Sequence, residues 1–222
     1  MPERRPRWVW VGAAALAGVA GTVNAVGFLG FQKQAITHLT GTTTLLGAAV
    51  VQGERAQAAH LLLMVAGFVV GAVASGLIIQ DSTLRLGRRY GVALAIEAAL
   101  LALAVPLFRA HHLAGPMLAA AAMGLQNAMA TTYSGAVVRT SHVSGMFTDL
   151  GVMLGHRLRG LPVQRLRLML SLLIIGFFFA GGVCGAWLFA RFGYGALYVP
   201  AALTGAVGAG YVAYRAMPAN SG

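Results

Sequence analysis

Six stretches of the sequence are long, apolar and almost free of charge, and they restrict the fold more than any other feature. A helix that crosses a bilayer needs about 20 apolar residues, because its backbone must satisfy its own N–H and C=O groups in hydrocarbon. Only 9% of the residues are charged, against about 25% in soluble domains, which excludes a soluble fold. The sequence therefore predicts an all-α polytopic membrane bundle with spanning helices at about Trp8–Phe31, Ala58–Ile79, Gly91–Phe108, Leu113–Tyr133, Leu168–Phe189 and Gly195–Tyr214.

Two further apolar stretches, about Thr42–Val51 and Met146–Leu154, are too short to cross a bilayer. Each follows a polar segment that contains glycine, and we expect both to form half-helices. With six spans and an inside N-terminus, most arginines fall in cytoplasmic loops, whereas eight spans would divide them more evenly between the two sides. The positive-inside rule thus favours six spans with both termini in the cytoplasm.

The formal net charge of +11, from 16 Lys and Arg against 5 Asp and Glu, has the same explanation. Cations in the loops of a membrane protein retain those loops on the cytoplasmic side. The expected partner is therefore the lipid bilayer and not nucleic acid, while a homo-oligomer remains an open alternative. The single cysteine, Cys184, excludes a disulfide framework and a thiolate metal cluster, and we expect no cofactor and no metal.

The segments in front of the two short stretches are repeated in sequence. Thr37–Gly41 aligns with Ser141–Gly145, and identities continue downstream without a gap. Further matches extend the repeat over nearly the whole chain, which we interpret as one membrane domain (1–222) with repeats at about 12–108 and 113–214. Because the first apolar stretch continues into this repeat, we expect it to be an uncleaved span rather than a signal peptide.

Three predicted spans separate corresponding elements of the repeat. An odd number of crossings reverses the direction of the chain, so the two halves are expected to be inverted relative to each other. Inverted repeats with interrupted hydrophobic segments at matching places are typical of transporters, whose substrate sites lie near the midplane. A half-helix that begins at Gly41 or Gly145 would direct its positive end towards such a site.

Few polar side chains fall within the predicted membrane depth, and these are the candidates for a solute site. Buried polar residues in membranes usually face the bundle interior or a cavity. The predicted substrate-binding residues are Asn24, Thr37, His38, Thr40, Gly41, Thr42, Gln126, Asn127, Ser141, His142, Ser144 and Gly145.

Each group of candidates also has a structural explanation. The two histidines either couple protons or hydrogen-bond the solute, or they cap the half-helices; two histidines alone lack the further ligands that a metal site needs. The Thr and Ser residues either line a pathway or cap free N–H groups. The amides either bind a solute of mixed polarity or join helices by hydrogen bonds.

Two acidic residues, Glu97 and Asp149, lie in apolar surroundings, and we predict that they handle protons or other cations. An intramembrane carboxylate is by default a functional candidate. The alternatives are a neutral hydrogen bond for Glu97 and an ion pair with Arg157 or Arg159 for Asp149.

Several segments resemble the YoaK-like family of bacterial integral membrane proteins: Ala17–Leu29, Leu39–Gly41, Met123–Ala128 and Val138–Gly145. The resemblance covers nearly the whole chain and implies a multi-pass protein of the bacterial inner membrane, without assigning a substrate. This chain has Asn24 where the family often has Asp, which removes one possible proton or cation site.

The leading hypothesis is a small-solute transporter or channel-like protein, with its site where Thr37–Thr44 and Ser141–Asp149 meet. One alternative is a membrane-embedded enzyme that uses a histidine and a carboxylate as acid and base. Another is a structural or regulatory membrane protein without a pathway. The sequence contains no visible nucleophile–base pair and no phosphate-binding loop, so the enzyme is the weaker alternative.

Overall fold

A computed structural model describes residues 7–30, 35–79, 88–134 and 139–216, and every secondary-structure element in these ranges is helical. This confirms the predicted all-α fold. The elements are α1 (Arg7–Gly30), α2 (Leu39–Gln52), α3 (Arg55–Ile79), α4 (Arg88–Arg109), α5 (Ala114–Ser134), α6 (Val143–Leu158), α7 (Arg165–Phe192), a 3-10 helix (Gly193–Leu197) and α8 (Tyr198–Ala216).

The six longest helices coincide with the six predicted spans to within a few residues. Helix α5 has 21 residues, but it contains two neighbouring amides, Gln126 and Asn127, and it does not reach the apolarity of the segments named below as able to cross a membrane. The first span was predicted to end at Phe31, which lies outside the described residues. Among the described residues, the segments that are long and apolar enough to cross a membrane are Trp8–Gly30, Arg55–Ile79, Arg89–Arg109 and Arg165–Tyr211, the last of which contains α7 and most of α8.

Two pairs of helices pack at glycines so closely that their backbones touch. Gly71 of α3 faces Ala121 of α5, and Gly181 of α7 faces Gly18 of α1. A Cβ atom at either glycine would overlap with the facing carbonyl oxygen, so a larger residue would push the two helices apart. Small residues at helix contacts allow this close approach in membrane proteins. In both pairs the facing residues increase in number in the same direction, so α1 runs parallel to α7 and α3 runs parallel to α5.

Helices α1, α4 and α7 end at one side of the bundle. Tyr194, just after α7, stacks on Phe108 at the end of α4, with ring centroids 4.8 Å apart. Its hydroxyl donates a hydrogen bond to the carbonyl of Gly30 at the end of α1. Helices α5 and α8 begin at this side, since each follows α4 or α7 after a short turn. We call it the Tyr194 side and the opposite one the Arg89 side.

Helices that the repeat relates therefore run in opposite directions. Helix α1 ends at the Tyr194 side, where its counterpart α5 begins. Helix α7 runs parallel to α1, and α3 runs parallel to α5, so α7 and its counterpart α3 also run in opposite directions. Helices α4 and α8 run in opposite directions too, because α4 ends at the Tyr194 side and α8 begins there. These directions are those of an inverted arrangement. The repeat boundaries at 12–108 and 113–214 stay a prediction.

The two short helices return to the side from which the chain enters. Helix α2 lies between α1 and α3 at the Tyr194 side, and α6 lies between α5 and α7 at the Arg89 side. They have 14 and 16 residues, or about 21 and 24 Å at 1.5 Å per residue, against about 30 Å of hydrocarbon. Both begin earlier than predicted, at Leu39 and Val143 rather than at the glycines, because His38 and His142 occupy the N-cap position.

Two apolar clusters fill the centre of the bundle. The cluster nearer the Tyr194 side includes Val23, Leu101 and Met123, and the cluster nearer the Arg89 side includes Leu94 and Leu125. Helix α4 contributes to both clusters.

The packing of the two halves differs at one seam. Helix α4 packs along α5, whereas their counterparts α8 and α1 are separated over most of their length. Between α8 and α1, with one wall formed by α7, lies an apolar groove of about 570 Å³ that Leu16, Phe177 and Leu203 line. We call it the α1–α8 groove.

Candidate functional site

The first polar junction holds the turn before α2 against α1. The side-chain oxygen of Asn24 accepts two hydrogen bonds from Thr37, one from the backbone N–H at 3.0 Å and one from the hydroxyl at 2.9 Å. Thr37 is buried and Asn24 is half-buried. The amide therefore satisfies a backbone donor of the turn before α2, whereas the structural alternative considered for the amides was a hydrogen bond between helices.

The second polar junction repeats this arrangement before α6. Asn127 Oδ1 accepts hydrogen bonds from the backbone N–H of Ser141 at 3.3 Å and from its hydroxyl at 3.0 Å. It also accepts one from the Thr140 hydroxyl at 3.3 Å. Asn24 and Asn127 thus have the same role in the two halves.

The second junction contains an additional link to α1. Gln126 is fully buried, and its Nε2 donates to the backbone carbonyl of Leu16 and to Thr140 Oγ1, both at 2.9 Å. Thr140 was not among the predicted residues. Its position directly before the Ser141–His142 pair was the signal that could have identified it.

Both histidines fold over the first turn of the short helix that follows them. A Cβ atom on Gly41 would overlap with the His38 ring, and a Cβ atom on Gly145 with the His142 ring. Neither histidine makes a side-chain capping hydrogen bond, and both are exposed. The glycine three positions later therefore makes room for the ring; its predicted role as the start of the helix is wrong.

The described hydroxyl hydrogen bonds of the short helices go to carbonyls and do not cap N–H groups. Thr42 Oγ1 donates to the carbonyl of His38 at 3.2 Å, and Thr44 and Thr148 also donate to carbonyls one turn back. Thr40 and Ser144 are exposed on the first turns. The capping function that was an alternative for Thr42 is therefore wrong, since its hydroxyl serves a carbonyl and not a free N–H.

A polar cavity of about 500 Å³ lies between α6 and α7, and we call it the α6–α7 cavity. Asp149 Oδ2 lies 3.3 Å from Arg167 Nε, with side chains 30% and 59% exposed. The predicted partners Arg157 and Arg159 were wrong, because the α6–α7 hairpin places Arg167 opposite Asp149. The cavity is lined by Arg139, His142, Gly145, Met146, Asp149, Gln164, Leu166, Arg167, Leu170 and Ser171.

The structure does not bring the two repeated segments into contact. Within the described ranges, α2 packs on α3 and α6 packs on α7, and the two short helices share no contact. The apolar clusters occupy the space between the junctions. The candidate residues therefore form two separate junctions, one towards each side, rather than the single site expected from the sequence.

Glu97 lies apart from both junctions. It is fully buried in α4, and neither carboxyl oxygen has a hydrogen-bond partner within the described ranges. The neutral hydrogen bond that was its alternative is therefore not present among the described residues. Those residues also contain no group of three His, Cys, Asp or Glu side chains that could hold a metal ion.

Comparison with known proteins agrees with this architecture. A family model with the description "Protein of unknown function (DUF1275)" matches residues 12–210, which include both junctions and all the long helices in whole or in large part. The chain belongs to the DUF1275 family. This is consistent with the resemblance to YoaK-like proteins, and the apolar helices make this DUF1275 member a membrane protein. No curated protein and no solved structure matches the chain.

Proposed function

We propose that this protein is a transporter or channel-like protein for a small solute, with a solute-contact region at each polar junction. The observation that carries the proposal is the pair of half-helices that enter an inverted bundle from opposite sides. A backbone that breaks inside a membrane is tolerated where it lies in protein or lines a cavity. Broken helices at matching places in inverted repeats form the substrate sites of many transporters.

The second junction is the stronger of the two contact regions. His142 and Gly145, both predicted site residues, line the α6–α7 cavity. The cavity also offers a cationic and an anionic side chain in Arg167 and Asp149. A cavity of about 500 Å³ lies in the range of small-molecule sites, about 300–1,000 Å³. A solute that carries a hydrogen-bonding or charged group fits this lining.

A screen for bound solute tests the proposal. Purified protein is heated with single members of a panel of sugars, polyols, amino acids and carboxylic acids. A solute at 100 times its Kd stabilises the folded state by about 2.7 kcal/mol. We expect at least one solute to raise the Tm of the wild type and to enter vesicles that contain it.

The matched variants are His38→Ala/His142→Ala and His156→Ala, since His156 is another exposed histidine of α6. The double variant should lose the shift and the uptake, and His156→Ala should keep both. Uptake that is unchanged in the folded double variant would contradict a role for the histidines.

We also propose that the protein lies in the bacterial inner membrane with the Arg89 side in the cytoplasm. Most described arginines lie at that side, and loops rich in arginine stay cytoplasmic. Cysteines at Arg157 and Arg55, each in a Cys184→Ser background, test the orientation in intact cells. An impermeant maleimide should label the Arg55→Cys variant only, and labelling of Arg157→Cys alone would reverse the orientation.

A structural or regulatory role without a pathway is the second candidate. The apolar packing between the junctions favours it, because most of the described side chains that fill the centre belong to the two apolar clusters. A panel without any thermal shift or uptake, together with a stable partner protein that co-purifies from native membranes, would support this candidate over transport.

A further inference from the structure

Glu97 occupies an unusual environment in the centre of the bundle. It lies on α4 between Leu94 and Leu101, which belong to the two different apolar clusters, and its side chain is fully buried. Neither carboxyl oxygen has a hydrogen-bond partner within the described ranges. An ionised carboxylate in such a place is very unfavourable unless a cation or several donors compensate it.

The helices packed against α4 bring no compensating charge to this depth. Helix α5 contains no Asp, Glu, Lys, Arg or His, and the arginines of α4 itself lie in its first and last turns. The ionisable residues of the helices in contact with α4 all lie towards helix ends: Arg55 and His60 of α3, Tyr133 of α5, Tyr194 of the 3-10 helix, and Tyr198, Tyr211, Tyr214 and Arg215 of α8.

Gln126 lies at the same depth as Glu97. At the turn between α4 and α5, a Cβ atom on Gly115 would be 2.9 Å from the backbone nitrogen of Phe108, so these two residues are level. Glu97 precedes Phe108 by as many residues as Gln126 follows Gly115. Since helices rise by about 1.5 Å per residue, Glu97 and Gln126 are level too. Gln126 Oε1 is buried and also has no partner among the described residues.

Ser75 of α3 completes this layer. Gly71 faces Ala121 of α5, so Ser75, one turn later, is level with Leu125 and hence with Gln126. Ser75 is fully buried, and its hydroxyl oxygen has no partner within the described ranges. Three neighbouring helices thus place unpartnered oxygens at one depth. The carboxylate and the amide oxygen can only accept, and the Ser75 hydroxyl, which could donate, is bonded to neither of them.

We propose that Glu97 is a proton-binding site, whose proton removes the negative charge that this fully buried and unpartnered position would otherwise have to hold. On loading, an O–H bond of a hydronium ion in the water on one side breaks, and the proton forms an O–H bond with a carboxylate oxygen of Glu97. On unloading, that bond breaks and the proton returns to water at the opposite side, so one proton crosses for each cycle. This inference rests on the proposed transport function and names its energy source.

The packing next to Glu97 explains how proton release is coupled to movement. Ala98 follows Glu97, and its Cβ would lie 3.3 Å from a Cβ placed on Gly205 of α8. The two helices therefore touch next to Glu97, whose side chain is fully buried. Ionised Glu97 needs water or a cation, so we expect proton release to require that the helices around it move apart. On this proposal the described structure corresponds to the proton-loaded state.

Infrared spectroscopy of the full chain in lipid nanodiscs tests the site without any solute. At pH 7 the wild type should show the C=O stretch of a protonated carboxyl group. The band should be absent in Glu97→Gln and retained in Asp149→Asn, the matched control. A wild-type spectrum without this band, or a band that persists in Glu97→Gln, would overturn the proposal.

Isotope labelling keeps the test decisive if Glu97→Gln does not fold. The chain has three glutamates: Glu97, Glu54 between α2 and α3, and Glu3, which lies outside the described residues. Wild-type protein with ¹³C-labelled glutamate should show the band shifted to lower frequency. A band that does not shift belongs to an aspartate and refutes the assignment to Glu97.

Uptake measurements separate this inference from the proposed function. With a solute from the panel, Glu97→Gln should lower the uptake driven by a pH gradient at least 10-fold relative to wild type. Solute exchange at equal pH on both sides should be unchanged. Equal loss of both would make Glu97 a structural residue. If no solute is transported but the infrared band behaves as described, the result supports Glu97 as a proton-binding site and contradicts its role in transport.

Discussion

The two half-helix units have the same backbone design but different chemistry. In both, an asparagine of a long helix holds the preceding turn, and a histidine ring covers a glycine on the first turn. The second unit adds the Gln126 link to α1 and the charged α6–α7 cavity. In the ungapped repeat alignment, Arg139 and Asp149 correspond to Ala35 and Leu45 of the first unit.

In the proposed transporter, this difference separates the residues that build a half-helix from those that would select a solute. The shared features position a broken helix in the membrane, and they depend on a few short-range contacts that both halves keep. The charged side chains are present at one unit only, so they are not needed to build a half-helix. We infer that the second unit determines which solute is accepted, and the first one provides a neutral counterpart.

The largest loss of stability is expected from substitutions at the glycine contacts, where the two halves are most alike. Gly71→Ala and Gly181→Ala each place a methyl group against a backbone carbonyl that cannot move away by rotating a side chain. Each should lower the free energy of unfolding by about 3 kcal/mol, at the upper end of overpacking effects. Thermal unfolding in detergent measures this.

Gly76→Ala and Gly176→Ala are the matched controls, because a Cβ at either site has open space around it. They should leave the Tm almost unchanged. A strong loss at only one of Gly71 and Gly181 would break the equivalence of the two packing contacts.

The asparagines should give the next largest effect, with a difference between the halves. Asn24→Ala leaves the Thr37 N–H and hydroxyl without their acceptor, and Asn127→Ala does the same to Ser141 and also frees Thr140. A buried donor without a partner costs about 1–3 kcal/mol. We expect both variants to be less stable in chemical unfolding, with Asn127→Ala the less stable one. The reverse order would show that the Gln126 link compensates for Asn127.

The histidine–glycine pairs should affect function more than stability. Gly41→Ala and Gly145→Ala force the ring off the first turn, and an exposed ring can rotate away at a stability cost of about 1 kcal/mol or less. Uptake of a panel solute should fall in both variants, and more in Gly145→Ala, whose histidine lines the α6–α7 cavity. Equal uptake by Gly145→Ala and the wild type would argue against a role for the position of the His142 ring in uptake.

The ion pair should contribute least to stability. Asp149 and Arg167 are 30% and 59% exposed, and exposed pairs contribute about 0–1 kcal/mol. Asp149→Asn and Arg167→Gln should therefore leave the Tm within a few degrees of wild type while changing the order of solute preference. If Leu45→Asp in the first unit changed solute preference as much, selectivity would not belong to the second unit alone.

The long helices were predictable because hydrocarbon imposes a length and an apolarity that few other environments require. The parallel pairing of α1 with α7 was not, since it depends on which glycines meet. The starts of α2 and α6 were misplaced because the sequence pattern suggested glycine as a breaker, whereas the glycines accommodate the rings of His38 and His142. Arg167 was missed as the partner of Asp149 because it is distant in sequence and the hairpin brings it close.

The candidate site was predicted residue by residue better than as a whole. Asn24, Thr37, Asn127 and Ser141 were identified from the repeat alone, and they do bond to one another. The prediction that they form one site was wrong, because sequence similarity between two segments does not determine how far apart they lie.

The α1–α8 groove has a consequence for how this protein should be handled. A short loop joins α4 directly to α5, whereas their counterparts α8 and α1 are not consecutive in the chain. Because apolar side chains such as Leu16, Phe177 and Leu203 line the groove, we expect the fatty-acid tails of neighbouring lipids to fill it in a bilayer. A preparation stripped of native lipid would then expose this apolar surface to detergent.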